Sequence, residues 1–260
     1  MTPAFPLDRR SLLAGAAATV TVAAAPLRAA APLRANAPAI RAIAFDGFPI
    51  FDPRGIAMRA KDMLGERGEA LAAQWSAKLF GYSWLETAAG RYQDFRTIAD
   101  AALRYTADAM QLPLDGVMRR ALVDAYDTLD VWPDVRPALE SLRAAGVQLA
   151  FLSNLSADTL SANARRNDIA RYFNAPLSTD RVRAFKPAPK AYAMALDAFD
   201  LPKENIGFAA FGGWDAVGAT WFGYRTAWVN RFGVPAEPLD AKPAIVSRGI
   251  EGVLELAGLA

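Results

Sequence analysis

Four short segments hold the residues best suited to chemistry: Ile43-Ala44-Phe45-Asp46, Leu152-Ser153-Asn154, Lys186-Pro187 and Gly213-Trp214-Asp215. They supply a carboxylate, a hydroxyl beside an amide, an ammonium and a second carboxylate. Asp46 ends an apolar run, so a buried strand would deliver it to a partly desolvated sheet edge. A carboxylate there can attack carbon and form an ester that water then cleaves; alone, it also fits an acid that merely terminates a strand. Ser153 and Asn154 follow a second apolar run. Hydroxyl and amide can hold a carboxylate there, or cap a helix or turn. An ammonium at Lys186, if beside Asp46, keeps that acid ionised and stabilises developing negative charge; a lone loop lysine is more commonly solvated. Small residues around Asp215 allow a close backbone approach to a ligand.

Such residues need a frame. Residues 40–46 read as a buried strand, and Pro49 and Pro53 then turn the chain. From 59 to 126 the pattern is helical: Leu71, Trp75, Leu79 and Tyr82 recur at helical spacing, as do Phe95, Ile98, Ala102 and Tyr105. Thereafter elements alternate. Helices are predicted over 135–145 (closed by Gly146), 157–168, 187–199 with Pro187 in the first turn, and 215–222. Strands are predicted over 147–152, 206–211 and 225–229. The alternation predicts an α/β fold with a parallel sheet covered on both faces. Ligands bind such sheets at the carboxyl ends of the strands, where Asp46, Ser153 and the loop at 212–215 fall.

Composition narrows the chemistry. The 260 residues include no cysteine and no histidine. Thiol nucleophiles, disulfides, Ser-His-Asp triads and Cys/His zinc sites are therefore excluded. The net charge of +2, with scattered arginines, implies no nucleic-acid partner. Residues 1–39 read as a removable leader. Asp8-Arg9-Arg10-Ser11-Leu12-Leu13 carries the paired arginines of a twin-arginine signal, and the apolar run that follows is too short for a stable membrane anchor. The expected partner is the twin-arginine (Tat) export machinery and the expected location the periplasm; an alanine-rich tail is the alternative.

Taken together, the four segments resemble the haloacid dehalogenase superfamily, most closely its 2-haloacid dehalogenases. The resemblance covers roughly residues 40–257 and implies a Rossmann-like core (40–54 and 131–260) with a helical cap (55–130) inserted after the first strand. It implies Asp46 as nucleophile, Lys186 as its charge partner, and Asp215 as the acid that positions Lys186 and the hydrolytic water. Ser153 and Asn154 would hold the substrate carboxylate. Lys186-Pro187 followed by Tyr192 matches the dehalogenase pattern, with Ala188 in place of its Asp; Trp214-Asp215 with Gly218-Ala219 belongs to the same branch. Phe48, Tyr82, Tyr192 and Trp214 are expected around the substrate.

Departures from the pattern qualify this. The superfamily's phosphatases carry acids where Phe48 and Phe211 stand here, so a proton donor and a metal ligand are both missing. No metal and no other cofactor is expected. Ile50, Ser76, Ala210 and Gly212 replace the dehalogenases' Thr, halide-receiving Arg, Ser and Asn; Lys78 is the nearest cation that could stand in for the arginine. The leading expectation is a metal-free hydrolase acting on a small 2-substituted carboxylic acid, a 2-haloacid, through an aspartyl ester. The alternative is a catalytically impaired relative that binds a small ligand or a protein. A homodimer is left open.

Overall fold

The middle of the sheet is a strand too apolar to face water. In the computed structural model, which describes residues 39–259, β1 (Ala42–Phe45) is buried along its whole length. It pairs in parallel with β2 (Gln148–Ser153) on one side and β4 (Ile206–Ala210) on the other, Phe45 lying level with Phe151 and Ala209. The six strands run in the order β3-β2-β1-β4-β5-β6, with β3 at Leu177–Ser178, β5 at Arg225–Val229 and β6 at Ile245–Ser247; every pairing is parallel. From β1 the chain runs outward through β2 to β3, then crosses back to β4 on the other side of β1 and runs outward again to β5 and β6. That switch point opens a crevice beyond the carboxyl end of β1.

Alternation along the strands sorts the helices. Ile43, Phe45, Leu149 and Phe151 face a core closed by α5 (Val135–Ala144), α6 (Ala157–Arg166) and α9 (Glu251–Leu256). Ala42, Ala44, Ala150 and Leu152 face the other way, under α7 (Pro189–Phe199) and α8 (Gly213–Phe222). The alanines leave room there for Tyr192, Phe208 and Tyr224.

Between β1 and α5 the chain forms four helices: α1 (Arg54–Leu64), α2 (Glu66–Ala88), α3 (Phe95–Ala109) and α4 (Gly116–Asp124). They make the helical cap inserted after the first strand. Trp75 of α2 is fully buried and donates its indole N–H to Ala99 O on α3 at 2.8 Å. The chain's exit to the cap and its return are zipped together. Phe51 and Val131 form an antiparallel bridge, Asp52 N donates to Asp130 O (2.8 Å), and Trp132 N donates to Ile50 O (3.1 Å).

Two details differ from the sequence reading. Pro187 lies before the helix; Pro189 takes the first-turn position, with Ala188 as N-cap. The edge strands β3 and β6 were not expected. The leader lies outside the described residues apart from Ala39. No described helix is long and apolar enough to cross a membrane.

Candidate active site

Asp46 follows β1 and prolongs its ladder, its N–H donating to Ala209 O of β4 at 2.9 Å. That fixes the backbone and leaves the carboxylate in the crevice, 8% exposed. Its two oxygens are treated differently. Oδ1 accepts from Lys186 Nζ (2.8 Å) and from Ser153 Oγ at the end of β2 (3.2 Å). Oδ2 accepts only from the Phe48 N–H, at 3.3 Å.

Lys186 is fully buried and lies between two acids, donating to Asp46 and, at 2.6 Å, to Asp215 Oδ2. Asn154 holds its backbone, Oδ1 accepting from Lys186 N at 3.0 Å. Asp215 sits in the first turn of α8, where the helix dipole favours an anion. Its remaining oxygen accepts from Tyr192 Oη at 2.7 Å. Burial pushes Asp215 up to about 6, and the Asp46 charge adds to the rise, against the pull of Lys186 and Tyr192. Burial alone lowers Lys186, but the charges of Asp215 and Asp46 outweigh it and hold the ammonium above its ordinary range. Burial, then the Asp215 charge, raises Tyr192, so its phenol stays protonated and can only donate to that acid.

A cavity of about 390 Å³ opens above Asp46 between core and cap. Asp46, Ser153, Asn154, Phe48 and Trp214 line it, along with Phe211. Phe48 and Phe211 pack edge to face, ring centres 5.7 Å apart. They put hydrocarbon beside the nucleophile. Gly212 is needed for the position of Trp214, since a Cβ there would lie 2.8 Å from the indole Nε1.

Two expected substrate contacts lie elsewhere. Tyr192 is fully buried beneath Asp215, among Phe208, Phe222 and Tyr224, and does not reach the cavity. Tyr82 is on the far side of α2 against Tyr105. Lys78 goes with it: its ammonium lies 4.0 Å over the Tyr105 ring and 5.5 Å over Tyr82. Each Asp215 oxygen accepts one hydrogen bond, from Lys186 and from Tyr192.

The sequence reading missed Arg54. Among the described residues that line the cavity it is the only cationic side chain. Its Nε donates to both Asp52 oxygens at 2.9 Å, and its guanidinium lies 4.7 Å over the Trp132 ring. Nothing in the string Asp52-Pro53-Arg54 separates it from a solvated helix-end arginine; only the fold brings it to the cavity.

Comparisons with known proteins give the family of the chain. A family model described as haloacid dehalogenase-like hydrolase matches residues 17–212. An (S)-2-haloacid dehalogenase of Pseudomonas sp. (strain YL) is 34% identical over 84% of this chain and 94% of its own length. Haloacetate dehalogenase H-2 of Moraxella sp. (strain B) is 32% identical over 84% of this chain and 97% of its own. Among solved structures, that of an L-2-haloacid dehalogenase superposes with a TM-score of 0.82 at 35% identity, covering 85% of this chain and all (100%) of the other. The L-2-haloacid dehalogenase of Xanthobacter autotrophicus with chloropropionic acid covalently bound gives 0.77 at 28%, again over 85% and 100%. With a family model spanning well over half of its length and relatives above 30% identity matched almost end to end, this chain belongs to the haloacid dehalogenase-like hydrolases.

Proposed function

We propose that the protein hydrolyses 2-haloacids, with Asp46 as the covalent nucleophile. One observation carries the reading: the two oxygens of Asp46 are prepared for different tasks. Oδ2, the less restrained, attacks the substituted carbon from the face opposite the halogen. The carbon–halogen bond breaks, its electron pair leaves with the halide, and the carbon inverts. Oδ1 is then the carbonyl oxygen of the ester, and Lys186 and Ser153 are already donating to it. They polarise that carbonyl and hold the oxyanion formed when water adds to its carbon. Collapse breaks the ester C–O bond, releases the 2-hydroxy acid and a proton, and leaves one water-derived oxygen on Asp46. Asp215 and Tyr192 act behind Lys186, fixing where its ammonium points.

The cation between the two carboxylates is Lys186 itself, and the side chains of Phe48 and Phe211 offer no oxygen to a metal, while their carbonyls accept from Trp132 and Trp228. Halide release should therefore be indifferent to EDTA. In single-turnover hydrolysis in ¹⁸O-water, label should enter the enzyme first and the product little. Asp46→Asn should abolish turnover; wild-type halide release from that variant, or activity only with added Mg²⁺, rejects the mechanism.

We also propose that residues 1–39 direct export through the twin-arginine route, so that the enzyme works in the periplasm on small organic acids. Arg9-Arg10 before a weakly apolar run supports this. A fusion of residues 1–40 to a reporter should be exported, and changing both arginines to lysine should stop it.

A further inference from the structure

The cavity is larger and more apolar than a two- or three-carbon acid needs. An enclosed apolar cavity of about 150 Å³ already accommodates benzene, and this one has about 390 Å³. Its charged side chains lie in two places. Asp46, Ser153 and Asn154 lie on the core side; Arg54 and Glu69 lie on the cap, tied to Asp52 and, at 3.3 Å, to Lys61. Between them the walls are mainly hydrocarbon, from Trp75, Leu79, Phe80, Phe95, Trp214 and Phe232, with Ser76 and Tyr126 adding a hydroxyl each. The space is opened by small side chains on one face of α2, where Ala72, Ala73 and Ser76 line the cavity at positions i, i+1 and i+4. A polar group placed against these walls would lose its hydrogen bonds to water without replacement. An apolar group would displace water that the walls cannot hold, with a gain in proportion to the area covered.

We propose that this cavity selects 2-substituted acids whose 2-substituent is a bulky apolar group, an arylmethyl or branched alkyl chain, over those carrying a hydrogen or a methyl. The substituent lies along the α2 face beside Ala73 and Ser76, while the reacting carbon stays at Asp46. The inference rests on the hydrolytic reading above and gives it a substrate class.

The test compares 2-bromo-3-phenylpropionate with 2-bromopropionate on the full chain. In both, halide leaves a secondary carbon beside a carboxylate, and the phenyl ring is not attached to that carbon. One methylene well fitted in an apolar pocket changes kcat/KM by about tenfold or more, so the phenyl compound should lead by at least about tenfold. Phenyllactate should quench cavity tryptophan fluorescence at lower concentration than lactate. Filling the α2 face with Ala73→Leu or Ser76→Leu should shrink or reverse the ratio between the two substrates. Equal rates, a lead for 2-bromopropionate, or a ratio that neither leucine moves overturns this inference and leaves the hydrolytic reading intact. No halide from either compound, with phenyllactate still the tighter ligand, overturns the hydrolytic reading and supports the cavity's preference.

Discussion

The phenol of Tyr192 donates at 2.7 Å to the one oxygen of Asp215 that Lys186 leaves free. Neither Tyr192 nor Asp215 lines the cavity, yet through Lys186 they set the position of the charge beside Asp46. The tyrosine is itself confined: a Cβ at Gly218 would lie 2.6 Å from its hydroxyl and 2.8 Å from Pro187 Cβ.

Tyr192→Phe should therefore destabilise the fold by about 1.5–3 kcal/mol, the range for a hydrogen bond to a charged group, and lower kcat more than it raises KM. Gly218→Ala should do at least as much, by pushing the hydroxyl away from Asp215. Urea unfolding and steady-state halide release check both. A Gly218→Ala protein with wild-type stability and kcat would contradict the packing described.

Lys186→Met leaves two buried carboxylates facing each other with no cation. Removing one partner of a buried ion pair costs about 3–5 kcal/mol, so the melting midpoint should fall sharply and turnover should vanish. Lys186→Arg should not restore activity, because a planar guanidinium cannot present one compact charge to both acids. Circular dichroism melts separate loss of fold from loss of chemistry.

The acid limb of the pH–rate profile should report Asp215, as part of its coupled group with Lys186 and Asp46. kcat should fall below about pH 6, where Asp215 takes a proton and releases Lys186. Stability should move the opposite way for this one group. Its folded pKa lies above its ordinary 3.8, so the native state binds the proton first as pH falls. Its contribution to stability thus rises as pH drops from about 6 to 3.8 and is constant outside that window. The difference between wild type and Asp215→Asn, measured by urea unfolding across the window, should show that slope. A flat difference would contradict the raised pKa.

Arg54 is the cavity's cation and its substrate is an anion. Its side chain is 59% exposed and already paired with Asp52, so its contribution to binding is that of a screened ion pair, at most about 1 kcal/mol. Arg54→Ala should raise KM by up to about fivefold, with a smaller effect on kcat and a loss of KM's salt dependence. Initial rates at low and high ionic strength test this.

What could be read in the sequence, and what could not, follows from the physics of each element. Asp46 and Ser153 were visible because fully buried parallel strands show as apolar runs, and the residue closing such a run must lie at the sheet edge. β3, of two residues, and β6, with Val246 exposed, leave no such run. Helical spacing marks α2 but not which flank of its apolar stripe meets the cavity, which is why Tyr82 is expected at the substrate yet packs against Tyr105. Tyr192 was found by its motif. Its task, holding Asp215 from below, depends on α7 and α8 meeting over the alanine face of the sheet, a contact between distant segments that no local pattern encodes.

Trp132 lies where the cap returns to the core. Its ring is covered by two guanidiniums, Arg54 and Arg231, each 4.7 Å from the ring centre, and its indole N–H donates to Phe48 O at 3.0 Å. Phe48 is also the residue whose N–H reaches Asp46 Oδ2. The exit and return segments are bridged to each other beside Trp132, at Phe51 and Val131. Phe48 thus ties the nucleophile on its amide side to Trp132 on its carbonyl side. The return of the cap and the readiness of the nucleophile share one residue: what holds the carbonyl side of Phe48 to Trp132 also sets its amide side against Asp46.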